Sequence, residues 1–390
     1  MEAYIVAGYR TAVGKASRGG FRFVTPIELG KVVIDQLLKA VPQLDPERID
    51  DLIVGNAVPE AEQGLQMARW VAVRSLPLGV PAVTVNRYCG SGVETIAMAA
   101  AKIKAGYADC IIAGGTESMS LVPTVGFKTV PNFEVASTHP EYFLGMGHTS
   151  EKISKQFGVS REDQDLFSYN SHQKAINAIK SGFFKDEIVP VEVEEIYVEG
   201  GKKKSKKFTV DTDEGPRADT SLEVLAKLKP AFSLNGTVTA GNSSQTSDGA
   251  AFVLVMSEKM VKELNLTPIA RMVTCASAGV DPSIMGMGPV NAIPKALKQA
   301  GMKLDDIDLI ELNEAFAAQA LAVIREAKLN PDVINVNGGA IALGHPLGCS
   351  GTKLTVQVLN ELRRRNKKYG MVTACIGGGQ GIAGIYELLN

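Results

Sequence analysis

Two cysteines and one histidine stand in short glycine-rich stretches, and each stretch follows a β-branched, strand-like run. Cys89 lies in VTVNRYCGSGVETI, Cys375 in GMVTACIGGGQG and His345 in INVNGGAIALGHPLG. Glycine lets a backbone come close to a reacting carbonyl group and present N–H donors to it. The pattern predicts a thiol nucleophile that has its own acid and base groups.

Cys89 precedes an alanine-rich helix whose first turn would contain Gly90, Ser91 and Gly92. The free N–H groups and the positive end of that helix would lie beside the sulfur, a setting that lowers a thiol pKa from about 8.5. We therefore expect a reactive thiolate at this position. A buried structural cysteine at the end of a strand is the alternative that these residues leave open.

The other candidate groups each have a structural alternative as well. The glycines after Cys375 predict an oxyanion hole or an anion nest, or a tight turn in a crowded core. His345, between a glycine and a proline, is a candidate base because the unperturbed histidine pKa is about 6.5, or else a turn histidine. Asn313 follows a strand and opens a helix, so it is either an N-cap or a polar anchor for water or an oxyanion.

Several other patterns are excluded by their context. The GxGxxG match at residues 379–384 has only six residues after it, too few for a dinucleotide-binding helix and second strand. The lysine cluster at residues 202–207 predicts a solvated hairpin tip, so nucleic acid is not an expected partner. No HExxH motif and no paired CxxC motif occur, and no metal site is expected.

Composition favours a globular α/β enzyme. The chain has 390 residues, enough for two or three domains, and 45% of them are hydrophobic. Forty-one basic residues nearly balance 42 acidic ones, which gives no general attraction to nucleic acid or anionic membranes. The chain has five cysteines, an odd number with no CxxC pairs, which fits a reducing compartment. It has no apolar run of about 20 residues and no recognisable targeting signal, so we expect a cytoplasmic enzyme.

The two ends of the chain resemble each other. LDPERIDDLIVGN is followed by NRYCGSG and a helix, and LDDIDLIELNEAF is followed by GHPLGCSG and a helix. Aligning them sets Asn56 against Asn313, which predicts a duplicated βα domain. We expect residues 1–120 with 246–266 to form one half, residues 267–390 the other, and residues 121–245 an inserted loop domain.

Five motifs in order, NRYCGSG, GNSSQTSDGA, NEAFAAQ, GGAIALGHPLGCSG and CIGGGQG, resemble those of the thiolases, and the resemblance covers the whole chain. Thiolases exchange acyl groups between a 3-ketoacyl-CoA and coenzyme A. The resemblance implies an α/β fold of two duplicated αβαβα-type halves that form a five-layered core, with an inserted loop domain. It also implies coenzyme A as co-substrate, no tightly bound cofactor, and homodimers or homotetramers.

The resemblance also assigns roles. Cys89 would accept the acyl group, His345 would activate its thiol, and Cys375 would be the second acid and base. Asn313 would position a water that forms one oxyanion hole with His345, and the N–H groups of Cys89 and Gly377 would form the other.

Binding residues follow from the same motifs. Ser244 resembles a serine that contacts pantetheine, Met146 and Met285 resemble methionines of the acyl pocket, and Phe316 would be a wall of that pocket. Arg217 would meet the CoA phosphates.

The motifs also bear on the subtype. Biosynthetic acetoacetyl-CoA thiolases typically carry a histidine just before the methionine of the covering loop, where this chain has Gly145. We therefore expect a degradative 3-ketoacyl-CoA thiolase of β-oxidation that admits medium or longer chains, with the biosynthetic enzyme as the alternative because His148 stands nearby. A ketoacyl synthase would use Cys-His-His, which Asn313 and Cys375 argue against. A cysteine hydrolase would leave Cys375 unexplained, and a non-catalytic binding protein would be expected to lose one of the three groups.

Overall fold

The computed structural model describes residues 2–389. The strands that it contains are β1 (Ala3–Thr11), β2 (Gly14–Lys15), β3 (Asp51–Gly55), β4 (Ala82–Val85), β5 (Cys110–Ser118), β6 (Ile188–Val189), β7 (Val191–Glu199), β8 (Lys202–Val210), β9 (Ser247–Ser257), β10 (Ala270–Gly279), β11 (Leu309–Leu312), β12 (Tyr369–Ile376) and β13 (Gln380–Leu388).

The helices are α1 (Pro26–Ala40), α2 (Met67–Ser75), α3 (Ser91–Lys104), α4 (Phe133–Thr138), α5 (Met146–Gln156), α6 (Arg161–Lys180), α7 (Leu222–Ala226), α8 (Glu258–Glu263), α9 (Gly288–Ala300), α10 (Ala317–Glu326), α11 (Ala340–Leu343) and α12 (Leu347–Arg365). No helix within residues 2–389 combines the length and the apolar character that crossing a membrane requires.

The strand order shows the duplication directly. The large sheet runs β4-β3-β5-β9-β1-β10-β13-β12-β11. Outward from the β1–β10 junction, the first half has β1, then the antiparallel β9, then β5 and β3, which are parallel to each other. The second half has β10, then the antiparallel β13, then β12 and β11, which are parallel to each other. The first half adds the edge strand β4, and in the second half a single parallel bridge between Ile310 and Ile334 lies at the corresponding edge. The predicted repeat is therefore confirmed in the topology.

Alternate strand residues face two different helical layers. Leu52, Val54 and Phe252 pack against α1 and α2 on one outer side, whereas Ile53 and Val253 face α3 and α12. Strands of the second half turn Val372 and Ile382 to the same central pair of helices and turn Met371 and Ile385 outward to α9 and α10. The order helix, sheet, helix, sheet, helix gives the five layers that the motifs implied.

The central helices approach each other closely near their N-terminal ends, and glycine makes this possible. A Cβ on Gly92 would lie 2.5 Å from the backbone nitrogen of Thr352, and one on Gly351 would lie 2.4 Å from that of Val93. The Thr352 hydroxyl donates to the Gly92 carbonyl at 2.9 Å. Because Cys89 and His345 precede these two helix ends, the crossing brings both to the same region of the molecule.

The chain between β5 and β9 lies over this core. Strand β6 pairs in parallel with β1, α5 packs on α10 and on the turn Pro282–Met287, and α6 packs on α10 and α11. The helical backbone of α5 begins at Met146, directly after Gly145. The predicted charged hairpin is formed by β7 and β8, which turn at Gly200 and Gly201 with φ of 58° and 74°.

Candidate active site

Cys89 lies in a single 3-10 turn, Tyr88–Gly90, between β4 and α3. The side-chain oxygen of Asn86 accepts from the Tyr88 N–H at 2.8 Å, and the Ser91 hydroxyl donates to the Tyr88 carbonyl at 2.7 Å. These bonds hold Tyr88 at a φ of 42°, an uncommon conformation for a residue with a side chain. The cysteine that follows is buried and packs beside Leu347 at the start of α12.

Cys375 is the penultimate residue of β12, and the glycines after it turn the chain into β13. Gly378 and Gly379 have φ of 81° and 86°, which only glycine adopts freely. The 3-10 turn that holds Cys89 packs against the end of β12, where a Cβ on Gly90 would lie 2.7 Å from the Ile376 side chain. The Gly377 N–H acts to lower the pKa of Cys89, and Cys89 raises the pKa of Cys375. Two residues from opposite halves of the duplicated fold therefore face one site.

His345 is held at four points. Its backbone N–H lies 3.1 Å from the Gln245 carbonyl and 3.2 Å from the Ser247 hydroxyl. Its Nε2 lies 3.2 Å from Asn313 Nδ2, and its Nδ1 lies 2.6 Å from the Ser350 hydroxyl. The predicted base and the predicted polar anchor are thus in direct contact, in a fully buried position.

The electrostatics of the resting site reverse one expectation. Burial raises the pKa of Cys89 to about 12, although the Gly377 N–H acts in the opposite direction. Burial lowers the pKa of His345 to about 3, and the charge of Lys353 lowers it further. The prediction that Cys89 is a thiolate is therefore wrong for the free protein. The free-energy cost of removing the negative charge from water exceeds the stabilisation that the N–H groups provide.

Cys375 is also a neutral thiol at rest. Burial raises its pKa, and the neighbouring Cys89 raises it further. Both thiols and the imidazole are uncharged at neutral pH. A proton must therefore move during the reaction rather than before it.

The pocket residues gather around Cys375. Met285, Ala315, Phe316 and Val238 form a buried cluster with it, and Met146 and Phe232 pack against this cluster. The half-buried Ser244 lies beside the cluster, since its N–H donates to the Ala315 carbonyl at 2.9 Å. All but one of the residues that the motifs suggested for binding are close to the thiols or to the residues that line them.

Arg217 is the exception. Its side chain is exposed, and its backbone N–H donates to His172 Nδ1 at 3.2 Å. Among residues 2–389 its structural contacts are with this part of the middle segment rather than with the thiol cluster.

His148 occupies the space that Gly145 leaves open. Its Nδ1 lies 3.3 Å from the point where a Cβ on Gly145 would be. Its ring meets Phe232 edge to face, with 6.4 Å between centroids, and Phe232 meets Phe316 in the same way at 5.9 Å. A row of three rings therefore leads from the exposed histidine to the buried pocket.

Two family assignments decide what this arrangement is. Residues 3–259 match the family described as thiolase, N-terminal domain, and residues 266–388 match thiolase, C-terminal domain. The chain belongs to the thiolase family.

Relatives of this thiolase have two different names. It is 55% identical to the 3-ketoacyl-CoA thiolase of Bacillus subtilis strain 168, over 99% of both chains. It is 47% identical to the acetyl-CoA acetyltransferase of Pseudomonas aeruginosa, over 98% of both chains. The crystal structure of the Bacillus anthracis acetyl-CoA acetyltransferase has a TM-score of 0.89 and 38% identity, and covers 100% of this chain and 99% of its own.

The thiolase site also contains a buried carboxylate that sequence reasoning missed. Glu117 accepts from the N–H groups of Ala57 at 2.8 Å and Gly348 at 2.7 Å, and its other oxygen accepts from Asn56 and Gln63. It joins the end of β5 to the beginning of α12, and its charge acts on Cys89. The available signal was an acidic residue at the end of a strand buried on both faces, where an unpaired charge would be costly.

No group of three or more potential metal-binding side chains occurs within the part of the chain that the structure describes. The chemistry of the site is derived below from its thiols, imidazole, amide and backbone groups.

Proposed function

We propose that this thiolase cleaves a 3-ketoacyl-CoA with coenzyme A, giving acetyl-CoA and an acyl-CoA shortened by two carbons, through an acyl group on Cys89. The same steps in reverse are a Claisen condensation. The observation that carries the proposal is the packing of the turn that holds Cys89 against the end of β12, which holds Cys375 and belongs to the opposite half.

The first half-reaction uses both thiols. His345 takes the proton of Cys89 while the Cys89 sulfur attacks the 3-keto carbon of the substrate. The bond between the second and third carbons of the substrate then breaks. Cys375 gives its proton to the departing acetyl-CoA enolate, which leaves an acyl-Cys89, a protonated His345 and a Cys375 thiolate. Burial disfavours each of these charges in the free protein, so the substrate is needed to stabilise them.

The second half-reaction restores the resting state. The Cys375 thiolate takes the proton of coenzyme A, whose sulfur attacks the acyl-Cys89 thioester. The released Cys89 sulfur recovers its proton from His345, and all three groups are neutral again.

Two sets of donors serve the two oxyanions. Asn313, through a water, and His345 would stabilise one, and the N–H groups of Cys89 and Gly377 would stabilise the other. Removal of one such donor typically costs about 3 kcal/mol of barrier.

The physiological role that we propose is β-oxidation with medium or longer acyl chains. The apolar cluster of Met285, Phe316 and Met146, the glycine at position 145 and the 3-ketoacyl-CoA thiolase of Bacillus subtilis support it. The alternative is a biosynthetic acetoacetyl-CoA thiolase. The placement of His148 beside Gly145 and the relatives named acetyl-CoA acetyltransferase favour that reading.

Coenzyme A would be a co-substrate that is not tightly bound. Residues 121–245 would form the loop domain that covers it, over halves made of residues 1–120 with 246–266 and of residues 267–390. Ser244 would contact the pantetheine arm, and the exposed Arg217 would contact the phosphates from the solvent side. We place the enzyme in the cytoplasm.

A homodimer or homotetramer is part of the proposal. Large apolar side chains are exposed on the segment after β5, where Val125, Phe127, Val130 and Phe133 are 64–78% exposed. An apolar surface of this kind favours association between copies of the chain.

The test is a series of 3-ketoacyl-CoA substrates of increasing chain length, beginning with acetoacetyl-CoA, each with and without added coenzyme A. Cleavage that requires coenzyme A and is fastest with longer chains supports the degradative enzyme. Cleavage restricted to acetoacetyl-CoA supports the alternative. Repeated turnover without coenzyme A, beyond the single cleavage that acylates Cys89, contradicts thiolase chemistry.

A further inference from the structure

Ser350 is a buried hydroxyl in the first turn of α12, five residues after His345. Its Oγ makes two contacts. It lies 2.6 Å from Nδ1 of His345, and it donates to the Pro346 carbonyl, one helical turn earlier, at 2.9 Å.

The protons in these contacts can be counted. A serine hydroxyl has one proton, and the Pro346 carbonyl can only accept. With that proton given to Pro346, the oxygen acts as an acceptor toward His345, so Nδ1 must carry the ring proton. Nε2 then has the free lone pair.

The other side of the ring agrees with this pattern. Nε2 lies 3.2 Å from Asn313 Nδ2, and a side-chain amide nitrogen is a donor only. A proton on Nε2 would set two donors against each other. Contacts on opposite sides of the imidazole thus require the same tautomer.

We propose that Ser350 is a positioning residue that fixes His345 in the Nδ1–H tautomer and so directs the basic Nε2 into the reaction. The hydrogen bond at one ring nitrogen determines which form the other takes. The catalytic half of this proposal rests on the thiolase chemistry proposed above, whereas the tautomer itself does not.

The tautomer also explains why His345 and Asn313 become a pair of donors only after Nε2 has taken a proton. At rest, Nε2 accepts from Asn313. Once Nε2 has taken the Cys89 proton, it becomes a donor next to the Asn313 amide, and the two can no longer bond each other. Both are then free to serve an oxyanion or its bridging water, while Nδ1–H keeps its bond to Ser350.

A neutral partner suits this site better than a carboxylate would. The carboxylate of Glu117 is engaged by Ala57, Gly348 and Gln63, and the charged group that acts on His345 is the buried Lys353 one turn beyond Ser350. A hydroxyl orients the ring without stabilising a resting imidazolium. This agrees with the neutral imidazole of the free protein.

The tautomer can be measured directly. The chain contains four histidines, so selective ¹⁵N-histidine labelling gives few ring signals, and a His345→Gln variant identifies those of His345. We expect a protonated Nδ1 and an unprotonated Nε2 in the wild type, and a mixture of the two tautomers in Ser350→Ala, where only Asn313 still favours the Nδ1–H form. A wild-type ring protonated at Nε2 would overturn the proposal, whether or not any variant folds.

Kinetics test the consequence. With acetoacetyl-CoA and coenzyme A, Ser350→Ala should lower kcat by about tenfold to a hundredfold with little change in KM, because Ser350 does not touch the substrate. Ser350→Cys, which keeps a weak acceptor, should recover part of the loss. Thr355→Val is the matched control, since the Thr355 hydroxyl also donates to a carbonyl one turn back on α12.

The outcomes separate the two levels of the argument. Equal losses in Ser350→Ala and Thr355→Val, or an unchanged tautomer in Ser350→Ala, would overturn the positioning role. If the wild type cleaves no 3-ketoacyl-CoA, the proposed function fails, and the ¹⁵N spectrum still decides the tautomer.

Discussion

At the scale of single residues, the site contains two thiols of similar burial that differ in their neighbours. Cys89 faces the Gly377 N–H and the turn that leads into α3, whereas Cys375 faces Met285 and Phe316 in the apolar pocket. A sulfur with N–H donors can carry an adduct that develops negative charge. A sulfur in an apolar pocket can keep a proton until a carbanion needs it.

Substitution should separate these two roles. Cys89→Ala should abolish acyl-enzyme formation from any substrate. Cys375→Ala should still become acylated by a simple acyl-CoA, because the CoA thiolate can leave without a proton donor, yet carbon–carbon cleavage should fall by at least about a thousandfold. Intact-protein mass spectrometry and a cleavage assay measure the two steps.

Cys275→Ala is the control, since this half-buried cysteine lies on β10 outside the thiol cluster. It should leave both steps unchanged. Equal loss of acylation in the Cys89 and Cys375 variants would contradict the division of roles.

The raised pKa of Cys89 also predicts its reactivity. Its pKa of about 12 leaves little thiolate at neutral pH, and the thiolate is the form that is alkylated. The rate at which iodoacetamide labels the Cys89 peptide should rise about tenfold per pH unit from pH 7 to pH 10. A plateau below about pH 9 would show that the thiolate is already formed in the resting site.

At the scale of elements, the site depends on how closely α3 and α12 approach. Both helices begin with a small-residue turn, and Gly92 and Gly351 meet where a Cβ cannot fit. Cys89 and His345 are fixed to the beginnings of these two helices, so the distance between the helices sets the distance between the proposed nucleophile and its proposed base.

Gly351→Ala tests this dependence. The added methyl group would lie 2.4 Å from the Val93 nitrogen and must force the helices apart, at a cost of about 1–3 kcal/mol. We expect a lower melting temperature. We also expect kcat to fall by a larger factor than the affinity for substrate. Gly279→Ala is the control, because its nearest neighbour is 4.0 Å away and its φ is not positive. Similar kcat values in the two variants would contradict the argument.

The elements also show how far sequence can lead. The strand-like runs before Cys89 and Cys375 predicted strands, and the matched pairs of motifs predicted a duplication, because both are local patterns. The antiparallel pairing of β1 with β9 and of β10 with β13 joins distant segments and left no local signal. The pKa values of Cys89 and His345 depend on burial, which the helix N-terminus alone could not reveal. Ser350 has an ordinary sequence context and is recognised only by its distance from Nδ1.

At the scale of the whole molecule, two histidines are kept uncharged by folding. Burial lowers the pKa of His172 to about 4 and that of His345 to about 3. Below about pH 6.5, the pKa of histidine in an unfolded chain, the unfolded protein therefore binds protons at these two histidines that the native protein does not. Stability should be unaffected by these groups above that pH and should fall as the pH decreases toward 4.

Each buried histidine should contribute about 1.4 kcal/mol of destabilisation per pH unit in this range. Urea unfolding at pH 7, 6 and 5 measures the slope, and His172→Asn should reduce it by about one proton. His139→Asn, which removes an exposed histidine, is the matched control. An identical slope in the wild type and in His172→Asn would contradict the assignment.

The exposed apolar segment after β5 makes a prediction about assembly. Replacing Phe127 and Phe133 with serine removes two large side chains that are 64% and 78% exposed in the single chain. If they mediate association, the double variant should have a smaller mass than the wild type by light scattering while its melting temperature as a monomer is preserved. The control is Leu65→Ser, which removes an exposed apolar side chain just before α2, outside this segment. Equal masses in all three proteins would exclude this segment as the interface.

The most direct test of the account is to identify the acylated residue. The protein is mixed with a 3-ketoacyl-CoA in the absence of coenzyme A, quenched in acid and digested, and the peptides are analysed by mass spectrometry. We predict one acyl group, shorter than the substrate by two carbons, on Cys89, lost when coenzyme A is added and absent in Cys89→Ala. An acyl group on Cys375, or cleavage with no acyl-enzyme at all, would contradict the central claim.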